Sequence, residues 1–337
     1  MILTYKIRHS RNFTHELKLA KKIANFAIKT KSRSSADVKH IGLKSAISNQ
    51  ILKKYSSSKT AKQVKSVKLT VPSQSIKIRD GQVCIPCLKL QLPIYFPDNF
   101  RKINQVEVGG MFAYISVSYD EPTPITPESV YGVDRNTTGH CLVAANPTTG
   151  KVLKLGKAAH HIHQKYKHTR KNLQKQGKYG LVKRIKNRES RVVRNLNHHI
   201  SKKLVGECIK QKAGIVLEGL KDIRKTAKSR KKQRYSLNSW SFYQLRQMVE
   251  YKAKKQGIPV FYIEPQYTSQ RCSRCGHIEQ ANRKGKLFQC KSCGKVENAD
   301  VNAGFNIAFA YQNGISRFVK DRDLAKGSTD TPGEALA

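Results

Sequence analysis

Three acidic residues stand in frames where a carboxylate is hard to explain by packing. Asp134 ends the apolar run Tyr131-Gly132-Val133, and Glu218 ends Gly214-Ile215-Val216-Leu217. Asp300 opens the apolar, helix-like segment that continues Val301-Asn302-Ala303. A charge at the end of a core strand is costly to desolvate if unpaired. It is well placed to ligate a divalent cation at the rim of a sheet. Three such groups can hold two Mg²⁺ ions roughly 4 Å apart, the arrangement that hydrolyses phosphodiesters by in-line attack. Taken alone, Asp300 reads equally well as a first-turn acid favoured by the helix dipole.

Four of the eight cysteines form two near-duplicate knuckles, Cys272-Ser273-Arg274-Cys275-Gly276 and Cys290-Lys291-Ser292-Cys293-Gly294. Paired Cys-x₂-Cys spacing predicts one zinc ion held by Cys272, Cys275, Cys290 and Cys293. Four thiolates leave no open position, so this metal is structural. The glycine after each second cysteine suits a backbone that must turn at positive φ around the metal. Cys84-Ile85-Pro86-Cys87 has the spacing without a second pair, and Cys141 and Cys208 read as core residues. Such usage fits a reducing cytosol better than a disulfide framework.

Lys plus Arg number 65 against 22 Asp plus Glu, a formal net charge of +43. An excess of this size calls for a polyanionic partner, and nucleic acid is the usual one. A purely structural nucleic-acid binder satisfies the charge but leaves the three acids without a purpose. Lys167, Arg170 and Lys171, on a predicted helix, are expected to touch phosphate. The basic run Arg224 to Arg234 reads either as a solvated segment or as a lid over single-stranded DNA, with Arg224, Arg230 and Lys231 as contacts. Arg271, between Gln270 and Cys272, is expected near the strand that is cut.

The elements that must position these residues follow from periodicity. Residues 1–10 read as a strand, and 12–56 as two basic helices broken near Lys31 to Ala36. From Val67 the apolar period becomes two, with Asp80-Gly81 as a hairpin turn. A strand, a helical insertion and several short strands suggest a small β-barrel interrupted by helices. Glu121 to Pro127 is a linker by composition. Beyond it the pattern predicts strands at 129–134, 139–146 and 150–155, two long helices over 158–212 and a strand at 213–218. A helix at 239–256, a strand at 258–263 and a helix at 300–312 follow. From about Ser316 the composition is that of a disordered tail. The first residues lack a signal-peptide core, and no run approaches the roughly 18 apolar residues of a membrane span. The 337 residues suffice for two or three domains.

Several stretches resemble a known family. Tyr267 to Gly276, the second knuckle and Asn298-Ala299-Asp300-Val301-Asn302-Ala303-Gly304-Phe305-Asn306-Ile307-Ala308 are similar to the C-terminal signature of TnpB proteins. These are transposon-encoded, RNA-guided nucleases related to type V CRISPR effectors. Gly132-Val133-Asp134 resembles the first RuvC motif and Val216-Leu217-Glu218-Gly219-Leu220 the second. Asn197-His198-His199-Ile200-Ser201 and Trp240-Ser241-Phe242 also fit. The resemblance spans about 129–312, while the first 128 residues match in layout. Arg135 stands where a small or apolar residue is commoner, and Gly304 where alanine is.

The resemblance implies a mixed α/β and β multidomain chain. A β-barrel wedge domain (1–10 and 66–128) would carry a helical recognition lobe (11–65). An RNase H-like RuvC nuclease domain (129–268 and 297–315) would contain an inserted zinc ribbon (269–296), with 316–337 as the tail. It implies Asp134, Glu218 and Asp300 as ligands of two catalytic Mg²⁺ ions. It also implies a guide RNA and a double-stranded DNA target cut beside a short flanking motif, with pairing reading sequence and protein reading shape. The setting would be a prokaryotic cytoplasm, at the nucleoid. Two alternatives share the frames: a CRISPR-associated type V effector, and a nuclease-dead RNA-guided repressor, which would be expected to lose an acid.

Overall fold

Alternation in Phe112–Tyr119 sends Ala113, Ile115, Val117 and Tyr119 to one buried face. That strand is the centre of the first of two compact units, Met1–Glu121 and Pro122–Ala337. The computed structural model describes residues 1–97, 99–136, 139–219 and 242–314.

In the first unit, β1 (Ile2–Arg8) is followed by helices α1 (Thr14–Thr30) and α2 (Ser45–Ser56), with a short 3₁₀ turn at Ala36–Ile41 between them. Strands β2 (Leu69–Pro72), β3 (Lys77–Arg79), β4 (Gln82–Ile85), β5 (Leu90–Pro93), β6 (Phe100–Val108) and β7 (Phe112–Tyr119) complete it. The four-stranded sheet has the order β1-β7-β6-β2. Ile23, Ala27, Ile47, Ile51 and Leu52 from the helices share a core with Leu69, Val71, Val106 and Val108 from the sheet.

The expected barrel is not closed. The strands of this unit form the four-stranded sheet and a separate three-stranded meander, β3-β4-β5. The reason is local. Strand β2 stops at Pro72, which has no N–H to extend a ladder. Asp80 and Gly81, both at positive φ (47° and 68°), fold β3 back onto β4 in a tight hairpin. The meander therefore pairs with itself.

The second unit is built on a five-stranded mixed sheet of order β10-β9-β8-β11-β12. Its members are β8 (Ser129–Arg135), β9 (Leu142–Ala145), β10 (Val152–Leu155), β11 (Ala213–Glu218) and β12 (Val260–Ile263). The first three are antiparallel neighbours, while β11 runs parallel to both β8 and β12. Strands β8 and β11 are buried along their whole length, as continuous apolar runs covered on both faces should be. Helices α3 (Ala158–Lys175), α4 (Tyr179–Lys210) and α5 (Phe242–Lys255) belong to this unit, and α4 and α5 supply Ile200, Leu204, Leu245 and Val249 to one side of the core. Helix α6 (Ala299–Gln312) packs Ile307 and Ala308 against Val130, Val216 and Ile263. A small ribbon of β13 (Arg283–Lys284), β14 (Leu287–Gln289) and β15 (Val296–Asn298) leads directly into α6. No described helix is long and apolar enough to cross a membrane.

Candidate active site and metal centre

Parallel pairing of Val133 with Leu217 puts Asp134 and Glu218 side by side at the carboxyl ends of the two central strands. The third acid arrives by close helix packing. A Cβ on Gly132 would overlap the Gly304 carbonyl oxygen and the Ala308 amide, so α6 lies directly on β8 at this point. Asp300 is one turn before Gly304, and Asp134 is two residues beyond Gly132. A Cβ at position 304 would come within 3.1 Å of the Ala145 methyl, tight for the alanine commoner there. Gly132→Ala is expected to lower stability by about 1–3 kcal/mol or more through overpacking, readable as a drop in denaturant midpoint. An unchanged midpoint would show that the helix can give way.

All three acids are buried: Asp134 and Glu218 are each 9% exposed and Asp300 is 3%. The Asp134 carboxyl is pushed up to about 7, with burial as the largest cause. The nearby Glu218 and Asp300 carboxylates contribute to that rise, while a hydrogen bond from Asn136 Nδ2 to Asp134 Oδ2 at 2.8 Å opposes it. Burial also raises the Glu218 carboxyl, against a 2.7 Å hydrogen bond from the Thr268 hydroxyl. Asp300 accepts from Lys286 Nζ at 2.6 Å and Arg283 Nη2 at 3.3 Å, both from the ribbon's β13–β14 hairpin. Asp300 does not cap its helix. Asn298 does so, its Oδ1 accepting from the amides of Asp300 and Val301. The Asp300 carboxylate is thereby not used in the cap, and it lies near enough to Asp134 to raise that carboxyl.

Arg135 alternates to the opposite side of β8 from Asp134. It is 7% exposed, and its Nη2 donates to the Glu218 carbonyl at 2.6 Å. This departure from a small residue ties the ends of the two acid-bearing strands together.

The four predicted cysteines come together. Cys272 and Cys293 sulfurs are 3.6 Å apart, as are those of Cys275 and Cys290, and all four lie within 4.8 Å of one another. Among the described residues no other set of three or more His, Cys, Asp or Glu ligand atoms closes to that degree. Each knuckle turns as expected, with Gly276 at φ 79° and Gly294 at φ 70°. The Cys293 amide donates to Cys290 Sγ, and such backbone donors pull that thiol down toward the thiolate a metal requires, while the neighbouring Cys293 thiol is pushed up among the other three sulfurs. A four-thiol cluster of this geometry fits a closed tetrahedral ion such as zinc. Cys141 and Cys208 are buried in the core.

The predicted phosphate contacts divide. Arg170 is engaged within the protein, its Nη2 2.6 Å from Glu189 Oε2 across α3 and α4. Lys171 is exposed and Lys167 half-buried on the same helix. Arg271 follows the Tyr267 to Gln270 turn, and its carbonyl accepts from Asn302 and Asn306 of α6. Arg224, Arg230 and Lys231, with the tail 316–337, lie outside the described residues. Sequence reasoning does not single out Thr268, Asn136, Lys286 or Arg283. Thr268 lies within the family-like stretch Tyr267 to Gly276 and Asn136 two residues after Asp134, whereas the ribbon cations are brought in by tertiary folding.

Residues 242–307 match the family model for the Cas12f1-like TNB domain. The chain is 34% identical over 214 residues to the CRISPR-associated endodeoxyribonuclease Cas12f1 of Sulfoacidibacillus thermotolerans, covering 58% of this chain and 49% of that protein. It is 36% identical over 149 residues to the TnpB-like protein MJ0751 of Methanocaldococcus jannaschii, covering 44% and 53%. The chain thus spans about half the length of these curated relatives within the matched regions. Among solved structures, Cas12f1 in complex with sgRNA and target DNA superposes with a TM-score of 0.64 over 88% of this chain and 82% of that one, at 16% identity. In sequence the chain is similar to Cas12f1 and to TnpB-like proteins, and in fold it is similar to Cas12f1.

Proposed function

We propose that this chain is an RNA-guided DNA endonuclease of the TnpB type, acting through a RuvC site on an RNase H-like sheet. The observation that carries the reading is the convergence of Asp134, Glu218 and Asp300, three buried acids from two strand ends and one helix start, with charges close enough to perturb one another. A fold has no structural use for such a cluster, since like charges out of water oppose one another. The strand order, three antiparallel strands followed by two parallel ones, supports the RNase H-like assignment. The names of the relatives support DNA as substrate and RNA as guide, and the +43 charge supports both.

The donor set fits hard divalent cations. Asp134, Glu218 and Asp300 would hold two Mg²⁺ ions. Such ions supply activation of water and neutralisation of charge on the leaving 3′-oxygen. The chain's own residues orient the ligands: Thr268 fixes Glu218, Asn136 fixes Asp134, and Arg135 braces the strand ends beneath. Lys286 and Arg283 hold Asp300 and place positive charge where a phosphate would approach. Cys272, Cys275, Cys290 and Cys293 would hold one structural Zn²⁺. The presence of all three acids favours an active nuclease over a nuclease-dead repressor.

The experiment is to purify the chain, sequence the RNA that accompanies it, and offer DNA matching the variable end of that RNA. One structured RNA species and Mg²⁺-dependent cutting of the matched DNA are expected. Cutting without RNA, or no defined RNA, would overturn guidance.

A pH effect follows from Asp134. Its carboxyl titrates near 7 in the metal-free fold against an ordinary 3.8. The folded state thus retains a proton that the unfolded chain has lost. This group's contribution to stability is present at low pH and lost as pH rises from about 4 through about 7. Mg²⁺ binds the ionised form and offsets that loss, so its stabilisation should grow with pH. The rise in melting temperature on adding Mg²⁺ is expected to be larger at pH 8 than at pH 6. In Asp134→Asn that pH dependence should largely vanish. Equal Mg²⁺ shifts at both pH values in the unmodified protein would count against metal binding at Asp134.

A further inference from the structure

Tyr267 adopts φ 58°, a left-handed conformation that non-glycine residues rarely hold. The turn that follows imposes it: the Tyr267 carbonyl accepts from the amides of Gln270 and Arg271 at 3.0 and 2.9 Å. Asn306 locks that turn to α6, its Nδ2 donating to the carbonyls of Thr268 and Arg271 at 2.8 and 2.6 Å. Glycine would satisfy this backbone at less strain. The tyrosine instead presents a ring that is 57% exposed. Backbone strain that the surroundings over-determine is a pointer to function.

Tyr267 borders a cavity of about 140 Å³ that is also lined by Glu264, Gln266, Thr268, Arg271, Asn306 and Phe309. Asn306 is 3% exposed, and its Oδ1 is buried with no hydrogen-bond partner among the described residues. Thr268, in the same wall, is the residue that holds Glu218.

We propose that Tyr267 stacks one unstacked base of the DNA strand being cut, at the mouth of this cavity. The proposal rests on the nuclease reading above. Arg271 at the cavity supplies a cation for the adjoining phosphate. A base in an intact duplex cannot enter, so the occupant is single-stranded or flipped. Stacking on an aromatic ring is sequence-tolerant, as an enzyme that cuts any guided target requires.

The test uses the full chain with its copurified RNA and a roughly 20-nucleotide single-stranded DNA carrying 2-aminopurine, without Mg²⁺. The unmodified protein is expected to change the fluorescence. Tyr267→Gly should bind about tenfold more weakly, in line with the loss of one base–aromatic stack, with a melting temperature no lower than before. Tyr267→Asn, which also tolerates this backbone, should show the same loss, and Tyr267→Phe should retain affinity. Unaltered binding by Tyr267→Gly, or equal weakening by Phe and Gly, overturns the proposal, as does preference for the same sequence as RNA. If the unmodified protein neither binds nor cuts guided DNA, the nuclease reading itself fails. If it does both and Tyr267→Gly matches it, only the base pocket is lost.

Discussion

Asp134→Ala is expected to reduce guided DNA cleavage by about a thousandfold or more while leaving RNA and target binding within a few fold. The size follows from what the residue would do. A metal contributes several kcal/mol of charge stabilisation in the transition state, and each 1.4 kcal/mol or so is a factor of ten in rate. Asp134 is the acid whose carboxyl feels both others, so removing it dismantles the shared site. Binding is spared because the rest of the +43 excess is distributed along the chain and is untouched. The variant should fold at least as well as the parent near neutral pH, since a buried charge among like charges has been removed. A purified Asp134→Ala protein that cuts at the parental rate would falsify the assignment of the triad. Loss of binding along with cutting would instead mean that Asp134 supports structure.

The acids were legible because each interrupts an apolar run at the point where a strand ends or a helix begins. The cysteines were legible because metal geometry fixes their spacing. Element types in the second unit followed for the same reason: a buried parallel strand such as Ala213–Glu218 is apolar throughout, and an amphipathic helix is not. The edges moved inward where polar residues flank the strands, so that the strand expected over 139–146 is Leu142–Ala145.

What could not be read was anything set by long-range pairing. Alternation in residues 67–119 is compatible with a barrel or with two open sheets, and the choice turns on Pro72 and on a hairpin that pairs only with its neighbour. The ion pair of Arg170 with Glu189 likewise arises only when α3 and α4 pack together. Lys286 and Arg283 lie in a hairpin with no chemical signature, and only the return of β15 into α6 brings them to Asp300. Arg135 is the converse case. Its departure from the family pattern was visible, but its hydrogen bond to the Glu218 carbonyl needed the β8–β11 register.

That coupling between ribbon and acids makes metal removal the second large effect. The core of the ribbon is Cys272, Phe288, Cys290 and Ala299, with Cys293 against it. One phenylalanine cannot hold three strands of two or three residues each. Structural zinc contributes roughly 10–16 kcal/mol in small zinc-binding folds, as much as the whole stability of a typical domain. The ribbon is also stitched to the site. Ala299 N donates to the Lys286 carbonyl at 2.9 Å, and Ser273 N donates to Asn302 Oδ1 at 3.0 Å. Unfolding it therefore releases Lys286 from Asp300 and loosens the turn that carries Thr268 against Glu218. Chelation, or Cys272→Ser, is expected to abolish cleavage although no acid is altered. Protease sites should open between about 267 and 298 while the five-stranded sheet stays protected. Metal analysis should return one zinc per chain, and readdition after chelation should restore both protection and cutting. Cleavage that survives complete zinc removal would separate the ribbon from catalysis, and would leave Lys286 and Arg283 as bystanders to the three acids.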